Sequence, residues 1–106
     1  MKVPTRIPLM GRDVDVEYVS DLKDGIQRCY GLWHSEGRIQ VDDIQSIENM
    51  KRTLIHELVH GVLCWGGVTH LLTEEQEEAV CTACEALADV IYLDPDVVST
   101  MDYEEV

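Results

Sequence analysis

Thr53-Leu54-Ile55-His56-Glu57-Leu58-Val59-His60-Gly61 is the stretch from which the rest of the chain can be read. Its centre, His56-Glu57-Leu58-Val59-His60, has the H-E-x-x-H spacing. Side chains four apart on a helix share a face, so His56 and His60 can offer two imidazole nitrogens to one ion. Zinc favours such nitrogen donors in tetrahedral geometry, and in catalytic sites it keeps one position for water. Glu57 lies a third of a turn away, close enough to take a proton from that water. A solvent-facing helix that merely carried two His and one Glu would need none of the surrounding pattern. Here the flanks are helical and apolar, Gly66-Gly67 follows where the helix should stop, and a second acidic helix comes soon after.

Outward from this stretch, Ile44, Ile47, Leu54, Ile55, Leu58 and Val62 fall on one side of a helix over about 44–65. Asp42-Asp43 or Ser46 is its expected N-cap. His56 and His60 project opposite Leu58, so one face is expected on a sheet and the other on a cleft. Thr73-Glu74-Glu75-Gln76 has capping-box spacing and opens a second helix over 73–93. Its apolar stripe is Val80, Cys84, Leu87, Ala88 and Ile91, and Asp94-Pro95 marks its end. An acidic tail over 96–106, expected to fray, completes the chain.

The N-terminal 43 residues read as a small sheet. Residues 2–8 and 13–19 are strand-like about a turn at Gly11-Arg12-Asp13. Val14, Val16 and Tyr18 alternate with Asp13, Asp15 and Glu17, the period of a half-buried strand. Asp21 to Gly25 is a polar break in which a helical turn is expected. Tyr30 to Val41 reads as a hairpin turning at Ser35-Glu36-Gly37, anchored by Tyr30 and Trp33. The fold expected is a single α+β domain over 1–106. In it a small, partly antiparallel sheet packs on the H-E-x-x-H helix, and a second long helix lies alongside.

A catalytic zinc needs a third protein ligand, and three residues compete for that place. Glu77 and Glu78 open the second helix and can face the His pair across a helix hairpin. The helical wheel puts Glu77 in the middle of the apolar stripe and Glu78 at its edge. An open metal site suits the edge position, while a buried Glu77 would need a polar partner of its own. His70, in the connection from Trp65 to Leu72, would make an all-His site. Cys81-Thr82-Ala83-Cys84 is a C-x-x-C inside a helix with no second pair. Small hydrophobes packed between helices, near Cys64, are the expected role for these cysteines.

Composition sets the outer limits. The 106 residues, 45% hydrophobic, suffice for one modest core. No run approaches the ~18 apolar residues of a membrane span, so no membrane role is expected. Met1 to Pro8 has no apolar stretch of signal-peptide length, and four cysteines without one suggest reduced thiols and a cytoplasmic location. Net charge is −13, and all 8 Lys and Arg lie at or before Arg52. The acidic second half argues against nucleic acid as a partner, because there is nothing in it to neutralise phosphates.

Thr53-Leu-Ile-His-Glu-Leu-Val-His-Gly61, with Glu77-Glu78-Ala79-Val80 on the next helix, resembles the small ImmA/IrrE-type zinc metallopeptidases. These belong to the gluzincin group and are often carried by phages and mobile elements. The likeness spans about residues 30–95, including the Tyr30-Gly-x-Trp33 hairpin. It implies zinc held by His56, His60 and a Glu on the following helix, with Glu57 as general base. The Glu78-Ala79 pair resembles the thermolysin-like surroundings of the ligand Glu, which favours Glu78 over Glu77. The chain departs from the larger gluzincins at Thr82, where they place an Asp that orients a His ligand. No following helical domain is expected here to supply an oxyanion-stabilising His or Tyr; His34, His70 and Tyr92 are the candidates for that task. The resemblance implies hydrolysis of a protein or peptide that pairs with the sheet edge near Leu32 to Ser35. The alternatives are a metal-binding regulatory module with little or no turnover, and a SprT-like peptidase with His70 as third ligand.

Overall fold

The computed structural model describes residues 2–89 and 102–105. Strand β1 (Lys2–Leu9) turns through Met10-Gly11 into β2 (Arg12–Val19), and both turn residues have positive φ, 52° and 77°. That is the two-residue turn whose twist matches antiparallel strands; Gly11 adopts it freely, whereas Met10 is one of two non-glycine residues with positive φ among those described. Two short strands, β3 (Lys23–Asp24) and β4 (Gln27–Arg28), form a separate hairpin where a helical turn was expected. Gly25, at φ 65°, supplies its bend. Strands β5 (Gly31–His34) and β6 (Arg38–Asp42) form the anticipated hairpin around Ser35-Glu36-Gly37.

The main sheet runs in the order β5-β6-β2-β1-β7, with β7 at Asp102–Glu105. β2 and β6 are parallel, pairing Val16 with Ile39 and Tyr18 with Val41, and the other pairings are antiparallel. The class is therefore α+β with a mixed sheet, as the sequence implies. The tail departs from expectation, since Asp102–Glu105 pairs with β1 instead of fraying. Its Val3 to Arg6 partners expose an edge that an antiparallel strand can satisfy.

Helix α1 (Ile47–Trp65) crosses one face of this sheet. Its cap is Ser46, whose hydroxyl accepts from the Asn49 N–H, and not the Asp42-Asp43 pair. Asp42 is instead buried at the end of β6, its Oδ1 accepting from the Ile44 N–H and its Oδ2 3.6 Å from the Arg28 Nε. The Gln45 side-chain amide donates to both the Tyr30 and Asp42 carbonyls, and Thr53 donates its hydroxyl to Gln45. This network fixes the start of α1 against the start of β5. No described helix is long and apolar enough to cross a membrane.

Val14, Val16, Ile39 and Val41 from the two parallel strands meet Met50 and Leu54 from α1 in the core. Burying each such side chain fully is worth about 1.5–3 kcal/mol. The expected stripe on α1 is shifted around the helix. The buried positions are Met50, Leu54, Glu57 and Gly61, while Ile44 and Val62 are exposed. The shift follows from two close approaches. A Cβ on Gly61 would stand 2.8 Å from the Trp33 ring, and a Cβ on Gly31 would stand 2.6 Å from the Thr53 methyl and 2.9 Å from Glu57 Cγ. Glycine at both places lets β5 lie almost on the backbone of α1.

Helix α2 (Glu74–Cys84) returns beside α1, with its capping box formed as expected by Thr73 and Gln76. It is shorter than the 73–93 expected. At Cys84 the chain tightens into a 3-10 helix over Glu85–Asp89, and the Glu85 N–H bonds back to the Thr82 carbonyl. Asp89 there pairs with Arg52 of α1 at 2.9 Å. The inward face of α2 is Glu77, Cys81, Cys84 and Ala88, with Val80 and Leu87 exposed. Ile91, Tyr92 and Asp94-Pro95 lie outside the described residues.

Gly61→Ala separates two opposed effects. Removing glycine from a helix interior favours folding by up to about 1 kcal/mol. Overpacking of this kind costs about 1–3 kcal/mol, and the Trp33 ring is held edge-on by Trp65 at 5.2 Å. The variant should therefore be less stable in urea unfolding, and a more stable variant would show that β5 is free to move off α1.

Candidate metal centre

The two His of α1 do point to the same place, because positions 56 and 60 are one helical turn apart and neither is in the sheet-facing stripe. Both rings are largely covered by α2 and the 3-10 helix, with 15% of each side chain exposed, and their centroids are 5.1 Å apart. Glu78 bridges them. Its Oε2 lies 3.1 Å from His56 Nε2, and its Oε1 lies 2.7 Å from His60 Nε2. Of the three candidates for a third ligand, Glu78 is the one that meets both Nε2 atoms.

Glu77 has the polar partner that its place in the stripe demands: its Oε2 is 2.6 Å from His60 Nδ1. Glu85 does the same for the other ring, with Oε2 2.9 Å from His56 Nδ1. Each imidazole thus has a carboxylate at its back and shares a third at its front. A neutral ring can donate from one nitrogen only. When the rear carboxylate accepts a hydrogen bond from the Nδ1–H, the Nε2 lone pair is turned towards Glu78, the arrangement that second-layer carboxylates impose on metal-binding His. Glu85 is the residue that sequence reasoning missed. Seven residues beyond Glu78 it is again on the same helical face, and that spacing was the available signal. Thr82, four beyond Glu78, takes no such role and is exposed.

Cys81, one turn beyond Glu77, is fully buried beneath this group. One donor atom each from His56, His60 and Cys81 lie within 4.8 Å of one another, so these three could hold a metal ion. Burial pushes the Cys81 thiol up to about 12, helped by the charges of Glu78, Glu77 and Glu57. All four cysteines are free thiols, as expected. His70 is exposed on a 3-10 turn over Thr69–Leu71 and does not line the cleft. His34 is engaged with Gln40 Oε1 at 2.8 Å, across the hairpin. Neither reaches the His pair, and Tyr92 lies outside the described residues.

Glu57 is only 7% exposed, wedged between α1 and β5. Burial raises its pKa, partly opposed by the nearby His60 and His56 and by a hydrogen bond from the Trp33 backbone N–H. The hairpin register explains that N–H. The Asp42 N–H bonds to the Tyr30 carbonyl, so Leu32 and His34 also face β6, while Gly31 and Trp33 turn their backbone groups outward. The cleft is bounded by this free edge on one side and by His56, His60, Glu77, Glu78 and Glu85 on the other.

For His60, burial works against the charged ring, but the Glu77 hydrogen bond and the charges of Glu57 and Glu78 win and raise its pKa. In metal-free protein a raised imidazole pKa adds stability that is complete below the ordinary value of ~6.5 and is lost as pH rises through the folded value. The raised Glu57 value acts in the same sense, favouring the protonated group below it and costing stability above.

No family model, curated protein or solved structure matches this chain, so the case for an ion rests on donor geometry, in which His56, His60 and Cys81 could hold one. An ion there must displace the His60 proton. Titrations between pH ~6 and ~8 should show divalent-metal affinity rising by up to about tenfold per pH unit for each proton released. Metal-free stability should fall over the same window. Affinity that is flat across it would place the ion away from His60.

Proposed function

We propose that the chain is a zinc-dependent peptidase whose ion is held by His56, His60 and Glu78, with Glu57 as general base. The observation that carries this reading is the Glu78 carboxylate lying between both Nε2 atoms while a separate, buried Glu57 stands behind them. Two imidazoles and a carboxylate form a donor set suited to zinc, which prefers His nitrogen at ~2.0–2.1 Å and carboxylate oxygen at ~2.0–2.2 Å. A bound zinc would supply a Lewis acid that polarises a carbonyl and draws the pKa of a water towards ~7. A purely structural zinc site has no use for a carboxylate placed like Glu57.

The protein's own residues account for the remaining tasks. Glu57 takes the proton of the attacking water and returns it to the leaving amine, and its raised pKa brings it nearer to working pH. The outward backbone groups of Gly31 and the Trp33 carbonyl offer a strand edge on which an extended peptide can pair. Glu77 and Glu85 hold the two rings in the tautomer that binds metal. The second reading, a metal-binding module with little turnover, draws support from the Cys81 thiol beside the same His pair. A fourth protein donor that stayed bound throughout would leave no position for water.

Two measurements test the peptidase. In zinc retention under a mild chelator, His56→Ala and His60→Ala should lose stoichiometric metal, and Glu78→Ala should weaken it severely. Glu77→Ala and Glu85→Ala should each cost ~10- to 100-fold in affinity through the ring behind which they sit. His70→Ala should match the parent, and an effect of that substitution as large as Glu78→Ala would sink the assignment.

Glu57→Gln should keep metal and fold but lower peptide hydrolysis by ~10²- to 10⁴-fold, the usual cost of losing a general base. Unchanged turnover in that variant would mean that Glu57 is not the base.

A further inference from the structure

We propose that Cys81 is a ligand of the same ion, so that the site is a four-donor set of His56, His60, Glu78 and Cys81. The proposal rests on the zinc site inferred above and goes beyond it, because Cys81 has no part in the peptidase reading. Three features carry it. The donor atoms of His56, His60 and Cys81 already lie within 4.8 Å of one another. Ligands about 2.0–2.3 Å from a tetrahedral zinc stand roughly 3.5 Å apart, so the thiol must close by on the order of 1 Å. The thiol is also wholly buried, whereas 58% of the Glu78 side chain is exposed. Glu78 and Cys81 are three apart on α2, so they reach the His pair from the same helix face at different depths, the carboxylate from the solvent side and the sulfur from below.

The two acceptors on α2 then have unequal hold on the ion. Thiolate is the softer donor and binds zinc well, and this one is shielded from water on every side. Glu78 is the donor that can leave into solvent. With all four in place the coordination is closed, as in structural zinc sites; with Glu78 released one position opens towards the cleft and towards Glu57. The Cys81 proton leaves to solvent when the ion binds, and no change of oxidation state is involved. Cys84, three residues on and only half-buried, is not within the donor group and serves as the internal control.

Cobalt(II) in place of zinc reads the ligand directly, because a thiolate on cobalt gives a near-ultraviolet charge-transfer band that imidazole and carboxylate do not. The full chain, reduced and metal-free, would be titrated with cobalt, alongside Cys81→Ser and Cys84→Ser and a variant in which Cys29, Cys64 and Cys84 are all Ser. The parent, Cys84→Ser and the triple variant should show the band saturating at one cobalt per chain. Cys81→Ser should retain the visible cobalt bands, lose the charge-transfer band, and bind more weakly by over the ~10- to 100-fold that loss of an outer-layer partner costs. Cobalt bound stoichiometrically without the charge-transfer band in the parent or in the triple variant would overturn the Cys81 assignment and leave the His56, His60 and Glu78 site standing. Failure of the parent to bind cobalt at all would overturn both. The triple variant retains the buried Cys81, so the test does not depend on Cys81→Ser folding well.

Discussion

The approach of β5 to α1 governs the rest of the molecule. Two glycines, one on each element, remove the side chains that would otherwise hold a strand and a helix at ordinary packing distance. The gain is threefold. Trp33 comes down on Gly61 and meets Trp65 edge-on, the Trp33 N–H reaches into the helix, and Glu57 is sealed from water without losing its hydrogen bond. A carboxylate in that position costs free energy unless charge or hydrogen bonds answer it. The answer comes from His56 and His60 on the same helix, and through them from α2. The helix that buries a liability against the sheet therefore needs the partner helix that completes the site.

The electrostatics of the cleft tilt the same way. Glu57, Glu77, Glu78 and Glu85 converge on two imidazoles, and among the described residues no Lys or Arg borders the cleft. Like charges so close raise one another's cost, and imidazolium offsets only part of it. A divalent cation between the two Nε2 atoms would add the missing positive charge at the centre of the cluster, and metal ions are often the largest local charges in such sites. Part of the negative charge of the second half of the chain is thus gathered around one point.

Much of this was legible in the sequence because it depends on local spacing. The i, i+4 His pair, the capping box at Thr73, the β5–β6 hairpin and the alternation of Val14 and Val16 all follow from periods of four, three and two residues. Glu78 at the stripe edge and Glu77 in need of a partner followed from the helical wheel. What escaped depends on contacts between distant segments. The parallel pairing of β2 with β6 joins residues over twenty apart, and β7 returns to β1 from the far end of the chain. The buried stripe of α1 runs through Glu57 and Gly61 instead of Ile55 and Val62, because glycines on facing elements decide which side can come close. Hydrophobicity alone would never rank a Glu and a Gly as the core side of a helix. Glu85 was hidden for a related reason: it reaches His56 from the 3-10 turn that replaces regular helix beyond Cys84, inside the span over which a regular helix was expected.

The chemistry of the proposed site would turn on how many protein donors held its ion, and the geometry of α2 makes that a question of depth. Residues 77, 78, 81 and 85 all face α1, since steps of three, four and seven return to one side of a helix. They divide by what they meet. Glu77 and Glu85 meet the backs of the rings, Glu78 their fronts at the solvent edge, and Cys81 their underside in the dry interior. A helix rotated by one residue, ~100°, would exchange these roles and leave either the rings unsupported or a carboxylate buried alone. The Arg52 to Asp89 ion pair ties the end of the α2 segment to α1 and resists that rotation. Register on α2 therefore sets which side chain faces the position in front of the His pair, and with it, for the peptidase proposed, whether Glu57 would have a proton to take.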